Sequence, residues 1–160
     1  MPNKPVMLVI MDGWGVREMQ HGNAVMLAKT PNYDRWNQTL ERALVNASGE
    51  AVGLVPDQMG NSEVGHMNLG AGRIVYQDIT RIDVAIRSGE LAANVDLNAV
   101  CLQAKANGGK VHLIGLVSDG GVHSHIRHLT ALLRITKNLG VQAVVHVITD
   151  GRDTPPESGA

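Results

Sequence analysis

Val-His-Leu-Ile-Gly-Leu-Val (111–117), the stripe Ile126, Leu129, Leu132, Leu133 and Ile135, and Ala-Val-Val-His-Val-Ile-Thr (143–149) decide the fold. The two end segments are short, rich in β-branched residues and bounded by Gly or Asp, as expected of strands covered by other elements. Between them the stripe has helical spacing, Ser124 is placed to cap the helix, and Gly140 to close it. Strand, helix, strand over residues 111–149 is a βαβ unit, which predicts parallel strands joined by a right-handed crossover. The predicted fold class is α/β.

Upstream, Leu97, Val100, Cys101 and Ala104 form a second helical stripe, ended by Asn107-Gly108-Gly109. Ile79, Ile82 and Ile86 form a third, ended by Gly89. The Gly-rich stretch Met59–Arg73 has room for one short helix starting at Ser62, and marks the boundary between two units, residues 1–75 and 76–160. Thr30-Pro31 predicts a helix start, with Thr as N-cap and Pro at the first helical position, running to about Leu40. Val6–Met11 and Ala43–Asn46 read as further strands, the first too short to span a bilayer and wrongly flanked for a signal peptide.

Composition narrows the partners. The chain has 160 residues, 44% of them apolar, with 14 Lys and Arg against 15 Asp and Glu. No basic run tracks a phosphate backbone, and Trp14, Tyr33, Trp36 and Tyr76 are the only aromatic residues. Nucleic-acid and membrane partners are therefore not expected. Cys101 is the sole cysteine, so an internal disulfide or a CxxC site is excluded. A soluble, globular, cytoplasmic protein fits these numbers, which do not say what the chain does.

In open parallel sheets ligands bind beyond the carboxyl ends of the strands. Three expected strands run into polar turns: Asp12-Gly13, the run from Ser118 to His125, and the run from Asp150 to Pro156. If the last two strands are neighbours, His123, Arg152 and Asp153 share one edge. An Arg fork suits a carboxylate or phosphate, and a nearby Asp can move a hydroxyl proton. The substrate implied is a small anion bearing a hydroxyl. Taken singly, each piece has a plainer reading. Asp12-Gly13 suits a turn, and Ser62 suits an N-cap, having no visible activating histidine motif. His125 and His128 suit a solvated helix face, and His112 and His146 suit packed positions inside strands.

Together the segments 6–15, 59–73, 118–125 and 150–156, with Thr30-Pro31-Asn32, resemble the signature blocks of cofactor-independent (2,3-bisphosphoglycerate-independent) phosphoglycerate mutases, in that family's order and spacing. The resemblance implies interconversion of 3-phosphoglycerate and 2-phosphoglycerate through a phosphoserine intermediate. It implies two divalent metal ions, with manganese expected, and no requirement for 2,3-bisphosphoglycerate. Ser62 then resembles the nucleophile and a metal ligand, and Asp12 a second ligand. His123, Arg152 and Asp153 resemble substrate-binding residues, with Asp153 exchanging protons with the glycerate hydroxyls. Residues 1–75 would belong to an alkaline-phosphatase-like parallel-sheet domain and 76–160 to an inserted α/β substrate domain, both incomplete.

Chains of that family are longer, and the resemblance implies that the further metal ligands would come from a part beyond these residues. The full-length protein is expected to be a monomer, and residues 1–160 alone to be inactive, with loose packing and exposed apolar surface in residues 1–70. Two other readings stay open: a different metal-dependent phosphomonoesterase or phosphomutase of the same superfamily, and a non-catalytic binding module.

Overall fold

A computed structural model describes residues 4–159; residues 1–3 and 160, at the ends of the two expected units, lie outside the described residues. In chain order the elements are α1 (Ala24–Leu27), α2 (Pro31–Thr39), a 3-10 turn (Gly49–Val52), α3 (Ser62–Ala71), α4 (Asp78–Ser88), α5 (Val95–Ala106), β1 (Val111–Val117), α6 (Ile126–Leu139) and β2 (Ala143–Thr149). The βαβ unit forms with both predicted strand boundaries intact. β1 and β2 pair in parallel without offset, from Val111 opposite Ala143 to Val117 opposite Thr149. Both strands therefore end at one level, and the residues that follow them, Ser118 and Asp150, emerge side by side.

One face of this pair packs on α5 and the end of α6, around Cys101, Val111 and Val141 with Leu97, Ala104, Leu113 and Leu139. The other face carries His112, Ile114, His146 and Ile148 in the open, Ile114 being 72% exposed. Helix α4 joins through Asp83, which accepts from Arg127 Nη2 (3.0 Å) and His128 Nε2 (2.9 Å) of α6. Gly89 and Gly140 end α4 and α6 in the left-handed conformation, as read from the sequence.

A second, smaller core gathers Val52, Leu54 and Val64. Asn68 of α3 holds it together: its amide donates to Val52 O (2.9 Å) and its Oδ1 accepts from Val75 N (2.7 Å). Gly53 sits at φ +87°, where a Cβ would stand 2.1 Å from the Val75 carbonyl oxygen, so this crossing requires glycine. Gln77 N donates to Gly53 O (2.8 Å), and Glu50 pairs with Arg87 at 2.9 Å, which ties α4 to this core.

Several expectations are corrected. Val6–Met11 forms no strand, and its side chains are exposed, from Val6 at 96% to Ile10 at 43%. Ala43–Asn46 likewise forms none. A strand needs a partner for its N–H and C=O groups, and neither segment has one among the described residues. The apolar surface expected of residues 1–70 is thus present. The α6 cap is His125, whose Nδ1 accepts from Arg127 N (3.1 Å), while Ser124 donates to Leu116 O (2.8 Å). In two of the three predicted stripes one member turns outward, Ile126 at 44% and Val100 at 59% exposure. Thr30 makes no cap bond to the α2 backbone and instead donates to Asp34 Oδ1 (2.8 Å). His112 and His146 are exposed rather than packed, with rings stacked at 5.1 Å and Nδ1 to Nε2 at 2.8 Å. His128 is bonded to Asp83 and half-buried, so it does not lie on a solvated face.

Candidate functional site at the strand ends

The site starts from Asp150, the residue after β2. Its side chain turns back into its own loop, and Oδ1 accepts three successive backbone N–H groups, from Gly151 (2.7 Å), Arg152 (2.9 Å) and Asp153 (3.1 Å). Oδ2 accepts from Ser118 Oγ across the strand pair at 2.5 Å, and that hydroxyl accepts in turn from Gly120 N (3.0 Å). Ser118 and Asp150 are both buried. The Ser118 hydroxyl, followed by the N–H groups of Arg152 and Asp153, holds the Asp150 carboxyl far below the ordinary carboxylate range, against the opposing effect of burial. The loop is thus folded around a carboxylate whose ionised form is favoured.

This anchoring brings His123 and Asp153 together, as the sequence predicts. His123 Nδ1 lies 2.6 Å from Asp153 Oδ2; the carboxylate side chain is 8% exposed and the imidazole 58%. With Nδ1–H donating to the carboxylate, the opposite ring nitrogen is left toward solvent. Arg152 stands exposed on the same edge, its backbone N–H fixed by Asp150. Gly120 abuts this group so closely that a Cβ there would lie 2.9 Å from Asp153 O. A cavity of about 330 Å³ opens beside the strand ends, lined by Ser118, Asp119, Asp150 and Thr154 among others. His123, Arg152 and Asp153 are not among its lining residues and stand on the open edge beside it.

His125, capping α6 next to this edge, is held below the ordinary histidine range, first by burial and then by the charge of Arg127. Its cap bond needs an unprotonated Nδ1, and the lowered value favours that form.

Ser62 and Asp12 are placed differently. Asn61, not Ser62, is the N-cap of α3, its Oδ1 accepting from Val64 N at 2.9 Å. Ser62 takes the first helical position with its hydroxyl exposed at the helix N-terminus. His66, one turn on, escapes a motif search because helical spacing alone brings it near. Its Nδ1 is 2.8 Å from Ser62 O and 3.2 Å from Ser62 Oγ. A carbonyl only accepts, so Nδ1 carries the proton and cannot take one from the hydroxyl. Asp12 lies exposed in a turn closed by Trp14 N donating to Met11 O (3.1 Å), with Gly13 at φ +77°.

Ser62 and Asp12 share no hydrogen bond, and no group of three or more His, Cys, Asp or Glu suited to a metal occurs among the described residues. Two oxygen donors fall short of the four or more ligands a divalent ion takes, so the donor set described does not fit a dinuclear metal site. Among the described residues no helix is long and apolar enough to cross a membrane.

Comparison with known proteins adds the following. A family model described as the BPG-independent PGAM N-terminus matches residues 82–160. A 2,3-bisphosphoglycerate-independent phosphoglycerate mutase of Desulforudis audaxviator (strain MP104C) is 54% identical over 156 residues, covering 97% of this chain and 31% of the relative. One from Cyanothece sp. (strain PCC 7425 / ATCC 29141) is 58% identical over 159 residues, covering 99% and 30%. 2,3-Bisphosphoglycerate-independent phosphoglycerate mutase 1 of Methanosarcina barkeri (strain Fusaro / DSM 804) is 52% identical over 156 residues, covering 97% and 30%. The chain spans about three tenths of the length of the curated relatives it matches.

Proposed function

The chain belongs to the 2,3-bisphosphoglycerate-independent phosphoglycerate mutase family, matching its N-terminal part, and on that premise we propose that it serves the interconversion of 3-phosphoglycerate and 2-phosphoglycerate, an isomerase step of glycolysis. The observation that carries this reading is the His123–Asp153 pair beside Arg152 at the paired strand ends. A phosphoglycerate needs a cation for its carboxylate or phosphate and a proton acceptor for its hydroxyls. Arg152 supplies the first through a fork of N–H donors. Asp153, oriented by His123, supplies the second, accepting a proton from one glycerate hydroxyl and returning one to the other.

Ser62 is the proposed phosphoryl acceptor. Its position at the first turn of α3 supports this reading, because a phosphoserine there would meet backbone N–H groups and a helix dipole that favour negative charge. The two separate cores suit the division into a phosphatase-like unit, residues 1–75, and a glycerate-binding unit, residues 76–160. The reading includes two divalent metal ions, manganese foremost, whose sites residues outside those described would have to complete. It also includes independence from 2,3-bisphosphoglycerate, a cytoplasmic monomer, and no turnover by residues 1–160 alone.

Titration of the chain with 3-phosphoglycerate, followed through the amide resonances of residues 118–125 and 150–156, tests the substrate assignment. The wild type is expected to bind and Arg152→Ala to bind roughly tenfold to a hundredfold more weakly, the worth of a charged hydrogen bond. Equal responses from wild type, Arg152→Ala and Asp153→Asn would overturn it. Turnover of 3-phosphoglycerate by residues 1–160 with manganese, above a Ser62→Ala control, would overturn the expected inactivity.

A further inference from the structure

We propose that Asp150, acting with Ser118, is the positioning residue of this edge: its buried carboxylate sets where Arg152 and Asp153 stand relative to His123. The proposal deepens the reading that the edge binds 3-phosphoglycerate, and rests on it. Asp150 is 8% exposed and turned into its own loop, so it acts through other residues. Its hydrogen-bond partners are all neutral: three backbone N–H groups on Oδ1 and one hydroxyl on Oδ2. A buried carboxylate without a cation is tolerated only where such donors surround it, and successive N–H groups turned onto one oxygen impose a single backbone conformation on residues 151–153.

The same carboxylate reaches the other strand's loop. Ser118 Oγ donates to Asp150 and accepts from Gly120 N, and Gly120 lies against the Asp153 backbone. His123 to Asp153 closes the ring at 2.6 Å. Asp150 thus bonds to both loops through its two carboxylate oxygens, joining Ser118 to residues 151–153 across 32 positions of sequence. Moving it shifts the cation and the proton acceptor together, relative to the imidazole.

The test compares Asp150→Ala, Asp150→Asn and Ser118→Ala with wild type in the 160-residue chain, titrated with 3-phosphoglycerate and, separately, inorganic phosphate. Asp150→Asn retains the volume and Oδ1 but turns the acceptor facing Ser118 into a donor. Asp150→Ala is expected to weaken 3-phosphoglycerate binding by about tenfold or more, and Asp150→Asn to restore part of it. Ser118→Ala should fall between the Asn variant and wild type. Cys101→Ala, which loosens the core away from both loops, should bind like wild type, so general destabilisation would not mimic the effect.

Folded Asp150→Ala with wild-type affinity overturns the proposal. Where that variant does not fold, Asp150→Asn and Ser118→Ala decide by the same criterion. Failure of the wild type to bind refutes the substrate reading instead. The proposal then stands or falls on whether amide protection at Gly151–Asp153 and the His123–Asp153 contact are lost in the Asp150 variants.

Discussion

Gly120→Ala is the sharpest small change available at this site. Gly120 follows Ser118-Asp119, and a Cβ there would lie 2.9 Å from Asp153 O, 3.1 Å from Asp153 Cβ and 3.2 Å from Asp153 C. Carbon contacts relax at about 3.5–4.0 Å, so the Asp153 backbone must retreat by roughly half an ångström. It has little slack, because Asp153 N is already 3.1 Å from Asp150 Oδ1. A retreat of that size passes the usual limit of about 3.2 Å for an N–H···O bond.

The expected loss of stability is about 1–3 kcal/mol, the range for overpacking. On the proposed role of Asp153 as proton acceptor, displacing it by half an ångström is expected to lower turnover of 3-phosphoglycerate by a full-length protein on the order of tenfold. Gly115→Ala on β1 is the matched control, since a Cβ there meets nothing within 4 Å and φ is not positive. Urea unfolding of the two variants and wild type, with resonances of His123 and Asp153 as site reporters, checks both parts. Equal stability of Gly120→Ala and Gly115→Ala, with the His123–Asp153 contact unmoved, would refute the reasoning.

Three further outcomes are expected. Val141→Ala removes two methyl groups from the Cys101–Val111–Val141 core and should cost about 1.5–3 kcal/mol in urea unfolding; a change below half that range would mean the site collapses around the loss. Asn68→Ala leaves Val52 O and Val75 N without their bonds and should cost about 1–3 kcal/mol, with hydrogen exchange at Val75 N accelerating; unchanged exchange would exclude the bridging role. Asp150 has a folded-state value depressed below its unfolded one, so its stabilisation is complete above about pH 5 and lost as pH falls through the depressed value. Thermal midpoints across that acid range should therefore drop less in Asp150→Asn than in wild type.

What the sequence revealed tracks how local its causes are. The βαβ segment was legible because period, β-branched content and terminal glycines agree within 39 residues, and the strands appear with the expected ends and parallel sense. Val6–Met11 has the composition of a buried strand and forms none. Burial and pairing are properties of a partner, and composition records only the demand for one. Cap identity failed for a related reason. Ser124 and Ser62 are good capping types, but each has a polar neighbour able to take the role. His125 wins at α6 because Ser124 is drawn to Leu116 O, and Asn61 wins at α3 because it stands one residue earlier.

At the candidate site, the meeting of His123, Arg152 and Asp153 on one edge was legible, while the hydrogen bonds of Asp150 were not. Asp150 precedes a glycine at a strand end and so reads as turn chemistry. Only the zero-offset register of β1 and β2 reveals that its neighbour across the pair is Ser118. The distinction has a physical root. A side chain that meets substrate is chosen for its functional group, which a sequence displays. One that acts through hydrogen bonds to backbone is chosen for its place, which exists only once the strands have paired. Ser62 marks the opposite limit: its helix position is fully formed by α3 alone, yet His66 Nδ1, the ring nitrogen beside its hydroxyl, is committed to Ser62 O and cannot take the proton. The α3 helix thus gives Ser62 its place without a proton acceptor, whereas the His123–Asp153 contact is formed by the two loops themselves.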